Sequence, residues 1–197
     1  MAVEVLEIAS ERLLLWPSTP EQGRALLRYH EDNWHHLRPW SPPVPVDFLT
    51  LSYWERRLAA ERAAAEAGRA ARWAISWRDD GARRVIGTIG LSEIVRGPLG
   101  QGYLGYGLAD REQGKGVMTE AVRTVARFAF DGLRLHQVSA NYVPSNEASG
   151  RVLRRAGFVV VGFVRDYLYI DGAWRDHVMT MLTDPAGRPP PDLPPSS

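Results

Sequence analysis

The chain has 197 residues, of which 45% are hydrophobic and 24% charged, and this is the profile of one globular domain that can bury a core. It contains no cysteine, which excludes disulfides, thiolate metal sites and covalent chemistry on a cysteine. Its 24 basic and 23 acidic residues nearly cancel, so the charge demands neither a nucleic acid nor an anionic membrane as a partner.

No apolar run reaches the roughly 18 to 20 residues that a membrane-spanning helix needs. Acidic residues precede the first hydrophobic stretch, in MAVEVLEIASERLLLW, which is not the pattern of a signal peptide. We therefore expect no membrane partner and a cytoplasmic location.

In chain order, the first part of the sequence predicts a strand, two helices and a proline-rich connection. The strand is expected at about residues 3–16, and Pro20 opens a helical segment to about residue 36. The stretch RPWSPPVP, residues 38–45, carries too many prolines for either element and is predicted as a loop. An alanine-rich second helix follows at about residues 51–67.

The remaining elements begin with a meander of three strands, separated by the turn sequences DDG and RGPLGQG. From Gly116 the apolar period becomes helical, with Val117, Ala121 and Val125 on one face. The strands are predicted at residues 72–77, 85–95, 101–108, 137–142, 158–170 and 174–182, with a helix at 146–156 and a hairpin turn at Asp171-Gly172.

This order of elements predicts a mixed α/β fold, a sheet flanked by helices. One domain is expected over residues 1–183, because no Pro/Gly/Ser-rich stretch divides the chain before that point. Residues 184–197, DPAGRPPPDLPPSS, are rich in proline and are predicted to form a disordered tail.

The segment YGLADREQGKGVMTEA, residues 106–121, places a glycine-rich turn between a strand and a helix. Gly114 and Gly116 let the backbone approach a ligand closely, and the first-turn amides of the helix favour phosphate or pyrophosphate. The segment is not a Walker A loop, because Lys115 is followed by glycine and Ala109 stands where the first glycine belongs. An ordinary glycine-rich turn is the alternative interpretation.

A second segment, residues 141–162, presents Asn146 and Ser149 on one side of the first turn of a helix. Helix capping is the alternative interpretation for Asn146. Ser149 lacks the G-x-S-x-G context of a serine hydrolase, and the histidines lack metal-ligand spacing, so no metal site is expected.

The pattern Arg111-x-x-Gly114-x-Gly116 on the first turn, followed by Asn146-x-x-Ser149 and RAGF, resembles the GNAT superfamily of acetyl-CoA-dependent N-acetyltransferases. The similarity extends over almost the whole chain. YLGYGL, IVRG, RPWSP and DYLYIDGAWRDHV further resemble the RimJ branch of the RimJ/RimL ribosomal-protein N-terminal acetyltransferases. The resemblance implies a GNAT-like fold, whose central twisted, mostly antiparallel sheet has about four flanking helices and splays open at the cofactor cleft.

The resemblance also implies acetyl-CoA as the cosubstrate, with its pyrophosphate on the backbone amides of the turn. A backbone N–H at Leu108 or Ala109 would stabilise the oxyanion. Asn146 would hold the pantetheine arm, and Ser149 would hydrogen-bond or protonate the departing thiolate. The implied cofactor-binding residues are Leu108, Ala109, Arg111, Gln113, Gly114, Lys115, Gly116, Val117, Met118, Asn146 and Ser149.

Lys115 is the only lysine among the 24 basic residues. Codon bias is one interpretation of the excess of arginine over lysine. Lys115 stands in the turn that would hold pyrophosphate, where a compact cation fits between two glycines. There it would add positive charge together with Arg111.

The catalytic base is the point at which this sequence departs from the family. The RimL pattern carries a glutamate where this chain has Leu168. Glu93, Tyr167, Tyr169 and Asp166 are candidates, and the sequence does not choose between them; for Glu93 the alternative is a solvated charge at a strand end. The residues predicted to line the acceptor groove are Trp40, Tyr169 and Trp174, with Tyr167 beside them, and core or edge packing is their alternative role.

Without a cysteine, direct attack by the amine in a ternary complex is expected. By the resemblance, the acceptor is the N-terminal alanine of a small-subunit ribosomal protein, recognised through its free N-terminus and not through direct nucleic-acid binding. Two alternatives stay open: the same fold acting on a small-molecule amine or a lysine, and a non-catalytic CoA-binding or ribosome-associated factor. The protein is expected to be a monomer or a homodimer.

Overall fold

The structure is a computed structural model that describes residues 6–191. Its helices are α1 (Gly23–Leu37), α2 (Leu51–Glu66), α3 (Val117–Arg127) and α4 (Glu147–Ala156). Its strands are β1 (Ile8–Ala9), β2 (Leu13–Pro17), β3 (Ala71–Trp77), β4 (Gly87–Val95), β5 (Gln101–Leu108), β6 (Gln137–Tyr142), β7 (Val159–Ile170) and β8 (Ala173–Thr183). No helix in this part of the chain is long and apolar enough to cross a membrane.

All eight strands form one sheet in the order β1-β2-β3-β4-β5-β6-β8-β7, and only the β5–β6 pair is parallel. The predicted mixed α/β class, with a mostly antiparallel sheet and four helices, is confirmed. Asp171 and Gly172 join β7 to β8 with φ angles of +48° and +79°. A two-residue hairpin turn of the type that twists with its strands needs positive φ at both central positions, which the Asp-Gly pair tolerates.

Helices cover both faces of the sheet. The apolar stripe of α3 packs with α4 on one face, where Leu15 and Trp73 are fully buried. On the other face α1 and α2 bury Leu26 and Leu58. Because side chains alternate along a strand, β5 turns Leu104 toward α3 and α4.

The bounds of three predicted elements change in the structure. The first strand is broken between β1 and β2, where the Ser10 N–H donates to the Leu13 carbonyl at 2.9 Å. The segment from Pro20 starts as a short 3₁₀ turn, Pro20–Gln22, before α1 begins. Beyond its last regular turn, α3 continues as a π-helical turn, Phe128–Gly132. The predicted strand residues 3–5 lie outside the described range.

The beginning of the proline-rich segment is attached to the sheet and to the turn after α3. The Asp184 N–H donates to the His136 carbonyl at 2.7 Å, and Arg188 pairs with Asp131 at 2.9 Å. Residues 192–197 lie outside the described part of the chain. The disordered tail therefore stays a prediction for those last residues.

The sheet opens between β5 and β6. These two parallel strands are in register only from Gln101 to Tyr103 on β5, although β5 continues to Leu108 and β6 to Tyr142. The second half of β5 is paired with β4 alone. A gap therefore splits the middle of the sheet, as the sequence resemblance implied.

Candidate active site

The turn between β5 and α3 has the geometry of an anion site. Gly114 and Gly116 have φ angles of +74° and +78°, which residues with a Cβ rarely adopt. Gly116 is the N-cap of α3, and its carbonyl accepts from the Glu120 N–H at 3.1 Å. The N–H groups of the first turn therefore have no acceptor within the helix and point outward at its positive end.

Glu120 ties this turn to the β1–β2 hairpin. Its carboxylate accepts from the Ser10 hydroxyl at 2.7 Å and from the Arg12 backbone N–H at 2.9 Å, and it pairs with the Arg12 guanidinium at 2.7 Å. Arg12 also donates to the Lys115 carbonyl at 3.2 Å. Burial alone would raise the pKa of Glu120, but these hydrogen bonds outweigh it and hold that pKa below its usual range.

We expect Glu120→Gln to lower the free energy of unfolding by about 1 kcal/mol at pH 7, because the charged hydrogen bonds weaken. A carboxyl whose pKa is depressed by folding stabilises the protein above its pKa in the unfolded chain and loses that contribution as the pH falls through the native pKa. The difference between wild type and variant should therefore shrink below about pH 4.5, near the pKa of an unperturbed glutamate. Urea unfolding at pH 7 and pH 3 measures it.

The control is Glu31→Gln, on an exposed position of α1. It should leave the free energy of unfolding unchanged at both pH values. A loss for Glu120→Gln that is equally large at pH 3 would contradict an ionic origin of the stabilisation.

Several side chains of the turn are engaged by the protein itself. Lys115 Nζ lies 3.0 Å from the carboxylate of Glu112, which is buried. The Gln113 amide donates to His36 Nε2 at 2.7 Å and so connects the turn to the last turn of α1. Arg111 is exposed. The turn therefore presents its backbone amides and Arg111 outward, while Lys115 shares its charge with Glu112.

The backbone of β5 presents amides to the gap left by β6. The Ala109 N–H donates to the Ile86 carbonyl at 2.8 Å, beside β4. In this antiparallel register, the N–H and C=O of Leu108 point away from β4, and the alternation repeats at Tyr106. Leu104 also points away from β4, but the pairing of Tyr103 with Ser139 uses its N–H to bond β6. Of the two amides predicted for the oxyanion, that of Leu108 faces the gap and that of Ala109 is bonded within the sheet.

Ser149 lies on the α3/α4 side of the gap. Its hydroxyl is 2.9 Å from the Tyr106 hydroxyl, and its backbone N–H donates to Asn146 Oδ1 at 3.1 Å. Asn146 is therefore the N-cap of α4 through its oxygen, and its amide NH₂ remains to bind a ligand. Burial raises the pKa of Tyr106 to about 12. Tyr106 is thus a neutral hydroxyl at neutral pH and can donate to Ser149.

A second polar cluster lies on the α1/α2 side. The Asn141 amide donates to the Tyr103 hydroxyl at 2.8 Å, and that hydroxyl is 3.2 Å from the Tyr167 hydroxyl. The buried His177 ring packs edge-on against Tyr167 with centroids 5.3 Å apart. Burial, with the Tyr167 hydrogen bond and the charge of Glu93, raises the pKa of Tyr103 to about 12. Tyr103 therefore serves as a neutral hydrogen-bonding group.

Two β-bulges stand beside this cluster. The register slips in β4 around Glu93 and in β7 around Asp166, and these two residues have φ angles of +50° and +48°. Non-glycine residues rarely adopt such angles, and bulges and backbone strain are enriched next to active sites. Glu93, Tyr167 and Leu168 line the cleft, whereas Asp166 is exposed outside it.

The cleft has a volume of about 1610 Å³ and includes Trp40 in its wall. Tyr169 and Trp174 do not line it; they pack edge-to-face on the β7–β8 hairpin with ring centroids 5.7 Å apart, and their place in the groove remains a prediction. No group of three metal-binding side chains occurs among residues 6–191. The predicted residues that line the cleft are Trp40, Glu93, Leu108, Gln113, Met118, Asn146, Ser149 and Tyr167.

The structure adds four residues to the site that the sequence reasoning did not assign: Tyr103, Tyr106, Asn141 and His177. The two tyrosines carried a usable signal, because their odd spacing in YLGYGL places them on opposite faces of a strand. Asn141 and His177 carried none, because their positions beside Tyr103 and Tyr167 depend on the pairing of β6 with β5 and on the register of β8 against β7.

The comparisons with known proteins agree with this architecture. The chain is 35% identical over 187 residues to the ribosomal protein uS5 alanine N-acetyltransferase of Escherichia coli (strain K12), a match that covers 95% of each chain. The structure of this chain superposes on that of the ribosomal-protein-S5-alanine acetyltransferase from Vibrio fischeri with a TM-score of 0.87 at 33% identity. The superposition covers 93% of this chain and 99% of the Vibrio fischeri chain.

A second solved structure, Mycobacterium smegmatis RimJ in complex with CoA-disulfide, gives a TM-score of 0.82 at 29% identity and covers 87% of this chain and 81% of that one. Residues 12–159 of this chain match the acetyltransferase (GNAT) domain family. That span contains the β5–α3 turn, the open half of β5 and the first turn of α4. The chain therefore belongs to the GNAT family of N-acetyltransferases.

Proposed function

We propose that this protein transfers an acetyl group from acetyl-CoA to the α-amine of a ribosomal protein whose N-terminal residue is alanine. The Escherichia coli and Vibrio fischeri relatives are named for that acceptor, and the Mycobacterium smegmatis relative binds CoA as a disulfide. The observation that carries the proposal is the open half of β5, whose backbone amides face the gap in the sheet. The N-terminus of α3 lies at one end of this gap, and the Ser149 and Tyr103 clusters lie on its two sides. Such an acceptor would place the reaction in the cytoplasm.

The residues of the turn fit a pyrophosphate. The backbone amides from Gln113 to Met118 would bind its oxygens, because a helix N-terminus offers unpaired N–H groups at a positive dipole end. Gly114 has open space around its Cβ position, and at Gly116 the nearest atom is an Arg12 nitrogen 3.6 Å away. No side chain therefore blocks the approach of an anion. The free NH₂ of Asn146 would hold an amide oxygen of the pantetheine arm.

The arm would extend along β5 as an extra strand. Leu108 adjoins the turn, whereas Leu104 lies about 13 Å further along the strand. Both polar clusters flank the stretch from Leu104 to Tyr106. The pairing of Tyr103 with Ser139 uses the Leu104 N–H to bond β6, so we assign the oxyanion to the amide of Tyr106. The amide of Leu108, which the sequence pointed to, is assigned to the arm.

The two clusters lie on opposite faces of the sheet, and this separates the amine from the leaving group. The amine would approach from the face of Tyr103, where Asn141 and Tyr167 can orient it by hydrogen bonds. Its nitrogen bonds to the thioester carbon, and the carbon–sulfur bond breaks toward the face of Ser149. Ser149 gives its proton to the thiolate and receives one from Tyr106, which regains its proton from water, while the attacking nitrogen releases one proton to water.

The chemistry of the amine favours an N-terminus over a lysine. An α-amino group with a pKa near 7.7 to 8.0 is roughly one tenth neutral at pH 7, whereas a lysine near 10.4 is neutral only to a few parts in ten thousand. No strong base is then needed, and the proton of the attacking amine can pass through water to the exposed carboxylate of Glu93.

A panel of short peptides tests the proposal. We expect thiol release from acetyl-CoA with Ala-initiated peptides that carry a lysine further along, and no release when the same peptides are blocked at the N-terminus. Mass spectrometry of the product should place one acetyl group on the first residue. Acetylation of the lysine in blocked peptides, or no turnover of any peptide while a small amine is acetylated, would contradict the proposed acceptor.

A further inference from the structure

The α1/α2 wall of the cleft contains a half-buried arginine that the transfer chemistry does not use. We infer that Arg72 binds a carboxylate in the first few residues of the acceptor, so that the protein prefers acidic N-terminal segments. This inference rests on the proposed function. Arg72 is on β3, and its side chain points to the face covered by α1 and α2, the face from which the amine approaches.

A glycine on β4 lets Arg72 reach toward the gap. The register across the sheet aligns Arg72 with Gly90 on β4 and Gly90 with Gly105 on β5. A Cβ at Gly90 would lie 2.7 Å from Cγ of Arg72 and would collide with it. The aliphatic part of the Arg72 side chain therefore lies against the bare backbone of Gly90, and Arg72 lines the same cleft as Gly105 of β5.

The charge of Arg72 is only partly compensated. Its Nε lies 3.5 Å from the carboxylate of Glu61, and that carboxylate already pairs with Arg57 at 2.7 Å. No other acidic side chain pairs with Arg72 among residues 6–191. Two guanidinium groups thus share one carboxylate, and a positive charge is left over in the wall of the cleft, where water screens it less than on the surface.

The floor beside Arg72 suits the main chain of a peptide. Gly105 has nothing within 4 Å of its Cβ position, and the Tyr29 hydroxyl lies 3.3 Å from the Cβ position of Gly107. That hydroxyl is buried and has no hydrogen-bond partner among the described residues. Gly105 therefore leaves room over β5 for the main chain of a peptide, whereas Gly107 is already covered by Tyr29.

The geometry limits where the acidic residue stands in the acceptor. Neighbouring strands are about 4.8 Å apart, so Arg72 starts about 10 Å from β5, and its side chain covers part of that distance. An extended peptide advances about 3.3 Å per residue. With the α-amine beside Tyr103, the second to fourth residues of the acceptor come within reach of the guanidinium.

The experiment compares Ala-initiated peptides that carry glutamate or glutamine at position 2, 3 or 4 and are otherwise identical. Binding to the protein in the presence of CoA is measured by calorimetry, and acetylation by thiol release. We expect about tenfold tighter binding and a lower KM for glutamate at one of these positions. Arg72→Gln should bring that ratio to about one and leave the affinity for acetyl-CoA unchanged.

Two further variants separate recognition from folding. Arg69→Gln, an exposed arginine three residues earlier, should keep the full preference. Glu61→Gln removes the competing carboxylate and should increase the preference for glutamate, which a merely structural ion pair would not do. Thermal unfolding of each variant reports whether it has folded.

The outcomes for the two proposals are distinguishable. Acetylation of both peptides with equal affinity would overturn the role of Arg72 and keep the proposed function. If the peptides with glutamate bound more tightly in an Arg72-dependent way but no peptide were acetylated, the role of Arg72 would stand and the proposed acetyltransferase function would be overturned. Absence of binding by every peptide, or a preference that persists in Arg72→Gln, overturns the inference.

Discussion

Gly116→Asp should reduce the affinity for acetyl-CoA at least a hundredfold. The new carboxylate would stand at the N-cap of α3, against the amides that we assign to the pyrophosphate. Two unit charges about 4 Å apart repel by about 4 kcal/mol at an effective dielectric constant near 20. A hundredfold loss corresponds to about 2.7 kcal/mol, so one such contact is sufficient. Calorimetric titration with acetyl-CoA measures the effect.

Matched variants separate charge from backbone strain. Asparagine has the shape of aspartate and tolerates the left-handed φ of +78° equally well, so Gly116→Asn should lose much less affinity. Gly97→Asp places the same residue at a φ of +73° with open space around it, far from the cleft, and should bind acetyl-CoA normally. If Gly116→Asp bound as well as wild type, the turn would not be the pyrophosphate site.

Ser149→Ala should lower kcat at least tenfold while the dissociation constant for acetyl-CoA changes by less than about threefold. The hydroxyl is 2.9 Å from that of Tyr106, whose pKa of about 12 keeps it protonated. Without Ser149 the thiolate would leave with no proton donor from the protein. The contribution of a single positioned proton donor is usually about a hundred- to ten-thousandfold, so a tenfold loss is a lower limit.

A double-mutant cycle tests whether Ser149 and Tyr106 act together. Tyr106→Phe should also lower kcat, and the double variant should lose little beyond Ser149→Ala, because groups in one relay are not additive. Ser52→Ala, a serine in the first turn of α2, is the control and should keep full turnover. Unchanged kcat in Ser149→Ala would remove it from the mechanism.

Pattern and spacing were sufficient to predict most of the fold. The predicted bounds of β5 and β6 agree with the structure, and those of the other helices and strands after residue 50 differ by at most two residues. Apolar residues recur in these elements with the period of a helix or a strand, and glycine-containing turns mark their ends. Both signals depend only on neighbouring residues in the chain. The break after β1 and the π-helical end of α3 were not predicted, because long-range packing causes them.

The bulges at Glu93 and Asp166 show why the catalytic side chains were harder to assign. Strand alternation tells which face a residue occupies, but one slip in register reverses that face. Tyr167 reaches the cleft through such a slip in β7, whereas Tyr169 beyond it does not line the cleft. A sequence pattern with period two carries no mark of a bulge.

The amino-acid sequence by itself determined the family, the turn at Gly114 and Gly116 and the absence of a cysteine intermediate, because each depends on which residues stand next to one another. The separation of β5 from β6, the free amide of Leu108 and the placement of Ser149 and Tyr103 on opposite faces came only from the folded sheet. They depend on which strands pair and where pairing stops, and long-range packing sets both.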